Sequence, residues 1–74
     1  MSTNNLIRMA NQIGGFFESM PDRQEALEGI VMHLKKFWDP RMRRDFLAMV
    51  DGDAQGQIKD IVLEAMRLHR AILI

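Results

Sequence analysis

A chain of 74 residues makes one small domain at most, and its core supplies only a few kcal/mol of net stability. A composition that is 47% hydrophobic and 27% charged, with mean hydropathy −0.16, is that of a soluble globular chain and disfavours disorder. Cysteine is absent, which excludes disulfides and thiolate metal sites; no apolar run approaches the roughly 18 residues of a membrane span, and no basic-then-apolar signal opens the chain, so the cytoplasm is the expected setting.

Ten Lys and Arg balance ten Asp and Glu, but the two signs are segregated. Between residues 35 and 44, Lys35, Lys36, Arg41, Arg43 and Arg44 against Asp39 sum to +4. The next twenty residues hold Asp45, Asp51, Asp53, Asp60 and Glu64 against Lys59, which sums to −4. A neutral total argues against a general nucleic-acid coat, while the local dipole predicts one basic face that meets something acidic or phosphorylated.

The first helix is expected over about 4–20, with Ser2, Thr3 or Asn4 as N-cap. At about 100° per residue, Leu6, Met9, Ala10, Ile13, Phe16, Phe17 and Met20 fall on one face, and Arg8, Gln12, Gly15 and Ser19 lie opposite. Pro21-Asp22 ends that helix and starts a second over about 22–38, where Asp22 and Glu25 have the spacing of a capping box. Its apolar stripe holds Ala26, Leu27, Ile30, Val31, Leu34, Phe37 and Trp38, while Met32 sits on the far side. Asp39-Pro40 restarts a third helix over about 40–50, with Asp as N-cap and Pro at the first helical position. That helix buries Met42, Phe46, Met49 and Val50; Arg41 and Arg44 point away, and Arg43 shares a flank with Leu47. Residues 51–56 read as a flexible loop. A fourth helix over about 57–71 presents Ile58, Ile61, Val62, Ala65, His69 and Ile72 as its buried face, with Leu63, Met66, Leu68 and Leu73 at the sides. The apolar stretch 71–74 is expected to dock on something. Without repeats, linkers or a β-branched run, the expected fold is all-α: one domain over residues 1–74, a compact bundle of four short helices.

Catalytic motifs are missing. The hydroxyls are Ser2, Thr3 and Ser19, His33 and His69 lie 36 residues apart outside any H-E-x-x-H pattern, and Gly14-Gly15 belongs to no phosphate loop. The two histidines read first as hydrogen-bonded boundary or core residues, and second as metal or proton-transfer groups without a third ligand. Ala10 and Gly14 form a small-x-x-x-small pair on the flank of Ile7 and Asn11, where either a neighbouring helix or a separate protein approaches closely. Arg41-Met42-Arg43-Arg44 opens a helix, where its charges oppose the dipole. A solvated face, a carboxylate-bearing partner, a phosphate-rich cofactor or nucleic acid would each answer that placement, though the third helix lacks Asn or Gln to read bases. Phe16, Phe17, Phe37, Trp38 and Phe46 read as core, with Trp38 also placed to anchor an interface. Seven methionines, Met32 off the core face among them, suit an adaptable docking surface.

Two stretches together resemble a known family. Leu6-Ile7-Arg8-Met9-Ala10-Asn11-Gln12-Ile13-Gly14-Gly15-Phe16-Phe17 resembles the opening motif of the small delta subunit of cytosolic NAD-dependent formate dehydrogenases. His33-Leu34-Lys35-Lys36-Phe37-Trp38-Asp39-Pro40-Arg41-Met42-Arg43 is similar to that family's second motif. The likeness covers most of residues 5–50, departs at Gly15, where the family more often carries a polar residue, and after Val50 is one of character only.

The resemblance implies a non-catalytic accessory subunit that binds the molybdenum-containing catalytic alpha subunit and supports its assembly, cofactor retention or stability. It implies no cofactor in this chain; the molybdenum (or tungsten) bis-pterin, the iron–sulfur clusters, FMN and NAD are expected in partner subunits. The residues expected to make the contact are Arg8, Asn11 and Gln12 of the first motif and His33, Trp38, Arg41 and Arg43 of the second, the arginines as paired donors and Trp38 as packing anchor. The alternative is a self-associating helical module unrelated to formate oxidation, a homodimer hiding Met32 and the apolar tail. Membrane attachment, nucleic-acid binding and intrinsic activity are not expected.

Overall fold

Two aspartates placed just ahead of apolar-periodic runs set the boundaries of the middle helices. Asp22 Oδ1 accepts from the backbone N–H groups of Gln24 and Glu25, and Asp39 Oδ1 accepts from that of Met42 at 2.9 Å. Each cap satisfies donors that a helix start leaves unpaired, a contribution of about 1 kcal/mol. Pro40 follows Asp39 at the first helical position.

The computed structural model describes residues 3–74, with side chains from Asn5 onward; the N-cap expected among Ser2, Thr3 and Asn4 rests on side chains outside that set. Four α-helices follow in order: α1 (Thr3–Glu18), α2 (Arg23–Phe37), α3 (Pro40–Asp51) and α4 (Asp60–Leu73). Among the described residues there is no strand, and the fold is the expected all-α bundle. The Cα radius of gyration is 11.0 Å, close to the roughly 11 Å of a packed chain of this length.

Some boundaries differ from those expected. Glu18 ends α1 two residues early, where the Ser19 hydroxyl donates to the Phe16 carbonyl and the Met20 N–H to the Phe17 carbonyl. The stretch read as a loop over 51–56 holds a 3₁₀ turn, Asp53–Gln57, folded back by Gln55 Nε2 donating to the Val50 carbonyl at 2.8 Å. That turn takes Gln57, so α4 starts at Asp60.

Leu27, Ile30, Val31 and Leu34 of α2 are fully buried, and α4 makes its broadest contact with that helix through Ile61, Val62, Ala65 and Met66. Each such aliphatic side chain contributes about 1.5–3 kcal/mol relative to exposure. Trp38 caps the C-terminus of α2 and meets Phe46 of α3 edge-on, ring centroids 5.6 Å apart.

The main correction concerns α1. Its buried residues are Leu6, Ile7, Ala10 and Gly14, a face turned by about 70° from the one expected, at about 100° per residue. Gly14 explains the turn: a Cβ built there would lie 2.5 Å from Val62 Cγ2, so α4 crosses against bare backbone. The small-x-x-x-small flank is thus covered by a neighbouring helix of the same chain. Met9, Ile13 and Phe16, expected in the core, are moved to the α2 side and partly or largely exposed.

In α4, Leu73 is buried and Ile72 exposed, the reverse of the expectation. His69 has non-helical dihedrals (φ −125°, ψ 22°) and lies half-buried, its Nε2 without a hydrogen-bond partner among the described residues.

Candidate partner-docking surface

The turned face of α1 leaves a row of rings at the seam between α1 and α2. Only four residues separate these helices, so they run side by side in opposite directions. Gly29 makes a notch in α2: a Cβ there would lie 2.5 Å from Phe17 Cε1, and the ring lies across the backbone. Phe16 meets Phe17 edge-on at 5.1 Å; Phe17 approaches His33 at 6.4 Å; His33 lies against Phe37 at 4.7 Å. The ladder therefore runs Phe16, Phe17, His33, Phe37, from one helix to the other.

Its two ends face solvent. Phe16 is 72% exposed and Phe37 65% exposed, in contrast to the core positions expected of both. Met32, which the sequence places off the core, is 53% exposed one turn before Lys36 on the outer side of α2. Between the rings is an apolar hollow of about 240 Å³ lined by Gln12, Ile13, Phe16, Phe17 and His33. An exposed aromatic surface of this kind marks an interaction site more often than it marks a free surface.

The charged flank is cationic. Lys36 Nζ stands 5.7 Å from the centroid of the Phe37 ring, and Arg8 and Gln12 are exposed along the outer side of α1. The ion pairs among the described residues are Arg23–Glu64, Lys59–Glu18 and Arg70–Asp51. None of them draws on the basic stretch from Lys35 to Arg44, which remains a set of cations on the surface. The Arg70 pair is the best formed: both guanidinium NH groups donate to the two Asp51 oxygens, and that hydrogen bonding holds the Asp51 carboxyl below its ordinary value and raises Arg70.

The residues expected to make a partner contact do not lie together. Arg8, Gln12 and His33 border the ring ladder. Arg41 is exposed at the start of α3, beside a hollow shared with Leu6, Asp39, Met42 and Asp45. Arg43 is half-buried, its Nε enclosed without a hydrogen-bond partner among the described residues. Trp38, expected as a packing anchor, is 5% exposed and occupied with Phe46. Asn11 serves the fold itself. Its Nδ2 donates to the Gln57 carbonyl and its Oδ1 accepts from the Lys59 N–H, both at 2.9 Å, which fixes the start of α4 against α1.

Sequence reasoning missed the ladder because an apolar stripe alone does not say which flank a neighbour covers. Gly29, a glycine inside a helix, was the available signal. Among the described residues no three His, Cys, Asp or Glu side chains gather as a metal site requires, and no helix is long and apolar enough to cross a membrane.

Comparison with known proteins adds one match. The family described as NADH-dependent formate dehydrogenase delta subunit (FdsD) matches residues 5–66, most of the chain and past the point where the two motifs end. No curated protein and no solved structure matches.

Proposed function

The chain belongs to the NADH-dependent formate dehydrogenase delta subunit family, and from that membership we propose that it is a non-catalytic accessory subunit binding the molybdenum-containing catalytic subunit. In this reading it supports assembly, cofactor retention or stability of that subunit in the cytoplasm, and the bis-pterin, iron–sulfur clusters, FMN and NAD reside in partner subunits.

The observation that carries the reading is the position of the ring ladder. Phe16, Phe17, His33 and Phe37 all lie within the matched residues, and they keep two large rings in solvent on a chain that has otherwise built its own core. Aromatic side chains exposed in this way anchor protein interfaces, because their burial against a partner removes large apolar area from water. Arg8, Gln12 and His33 flank the ladder, and Arg41 extends the cationic surface along α3. The anchor expected of Trp38 is assigned to Phe16 and Phe37 instead.

A dehydrogenase assembled in cells lacking this chain tests the proposal. The catalytic subunit is expected to carry less molybdenum and to oxidise formate more slowly, with both restored when the chain is supplied during assembly. Equal metal content and activity with and without it would refute the accessory role.

Exposed Leu68 and Ile72 on the outer side of α4 favour a second reading, self-association. A tight dimer of the purified chain in sedimentation, with no binding to the dehydrogenase, would support it.

A further inference from the structure

The partner itself leaves a chemical description in the surface. We infer that the α1–α2 seam receives a segment of the catalytic subunit in which one aliphatic or aromatic side chain projects between carboxylates. This rests on the accessory-subunit reading and adds to it the chemistry of the docked segment.

The hollow sets the central requirement. At about 240 Å³, and walled by Ile13, Phe16, Phe17 and His33, it has room for a single apolar side chain. Its walls offer almost no polar group to pair with, so a charged or amide side chain placed there would lose its hydration without replacement. Phe17 cannot swing away to enlarge the hollow, since its ring is seated on the Gly29 backbone. Phe16 can close over an incoming group, because it touches only Phe17 and is otherwise in solvent.

The rim sets the charge. Lys36 stands beside Phe37 on one side, and Arg8 is exposed on the other. Neither takes part in an ion pair among the described residues. The acidic side chains of α1 and its neighbours are turned elsewhere: Glu18 pairs with Lys59 and Glu64 with Arg23, on the α4 side of the molecule. A partner presenting Asp or Glu on either side of its apolar group is therefore drawn to the seam, and a basic segment is repelled. Met32, next to Lys36 on α2, offers a flexible apolar contact for the following turn of the segment.

The test uses the assembled dehydrogenase. Tagged chain is co-assembled with the other subunits, and retention of the catalytic subunit is measured across a salt series. Phe16→Ser with Phe37→Ser is expected to reduce retention at least about tenfold, and Lys36→Glu to reduce it at low salt and flatten its salt dependence. Glu28→Gln, on the exposed α2 surface away from the ladder, is the control and should bind as the parent does. Circular dichroism of each isolated variant confirms that the fold persists. A photo-crosslinker at position 16 then identifies the occupant, which should be a catalytic-subunit peptide with Asp or Glu beside an apolar residue.

Undiminished retention of the double variant, or a crosslink to a basic segment or to a second copy of this chain, would overturn the inference and leave the accessory role standing. A parent chain that never retains the catalytic subunit would overturn both.

Discussion

Gly14 and Gly15 are neighbours in the middle of one helix, with the same intrinsic cost of about 1 kcal/mol each relative to alanine, yet replacing them should move stability in opposite directions. At Gly15 the nearest atom to an added Cβ is Lys59 Cε at 3.8 Å, an ordinary contact with the end of a flexible side chain. Gly15→Ala should therefore recover most of the helix propensity and stabilise the fold by about 0.5–1 kcal/mol. At Gly14 the added methyl would meet Val62 Cγ2 at 2.5 Å and Ile61 Cγ2 at 3.4 Å. Val62 is fully buried and β-branched, so it has no alternative rotamer to retreat into, and α4 itself must shift. Overpacking of this kind costs about 1–3 kcal/mol, which exceeds the propensity gain and leaves Gly14→Ala destabilised by about 1–2 kcal/mol. Thermal unfolding of the two variants should thus separate them by roughly 8 °C or more, at about 4–8 °C per kcal/mol for a domain of this size. Two variants that both melt above the parent would refute the close crossing of α4 over Gly14.

Asn11→Ala removes both bonds that hold Gln57 and Lys59, and should destabilise the fold by about 1–2 kcal/mol while speeding amide exchange at Lys59; unchanged exchange there would contradict the clamp. Because Arg70 lowers the folded pKa of Asp51 below its unfolded value, this pair stabilises above the unfolded pKa, and its contribution is lost as pH falls through the folded one. Asp51→Asn should accordingly flatten the decline of stability in acid titrations below about pH 4, where the parent loses the pair. Arg41→Glu exchanges a cation for an anion in the first turn of α3, so it should stabilise the isolated chain by about 0.3–1 kcal/mol yet weaken its hold on the dehydrogenase. Loss of both stability and binding would assign Arg41 to the fold instead.

The helices were legible because their signals are local. Asp22 and Asp39 cap helices from the positions that sequence alone assigned, and Pro40 follows at the first turn. What sequence could not supply was the direction from which neighbours arrive. Phe16 and Phe17 are adjacent in the chain and both apolar, but Gly29 receives one ring and nothing within the described residues covers the other. Trp38 shows the converse: its motif suggested an interface, and Phe46, eight residues on, claims it for the core. Asn11 reads as polar and outward on a helical wheel, and only the placement of Gln57 and Lys59 beside it reveals an internal bond. The basic stretch from residue 35 to 44 was readable as charge, and its freedom from ion pairs among the described residues agrees with that reading.

The central claim is that this chain holds the catalytic subunit of a formate dehydrogenase. An affinity pull-down of the tagged chain from its native cells, with mass spectrometry and molybdenum analysis of what accompanies it, tests that claim most directly. Recovery of a large molybdenum-containing subunit together with its flavin-bearing partners is the predicted result. Recovery of nothing but further copies of the chain, reproducibly and at low salt, would contradict it.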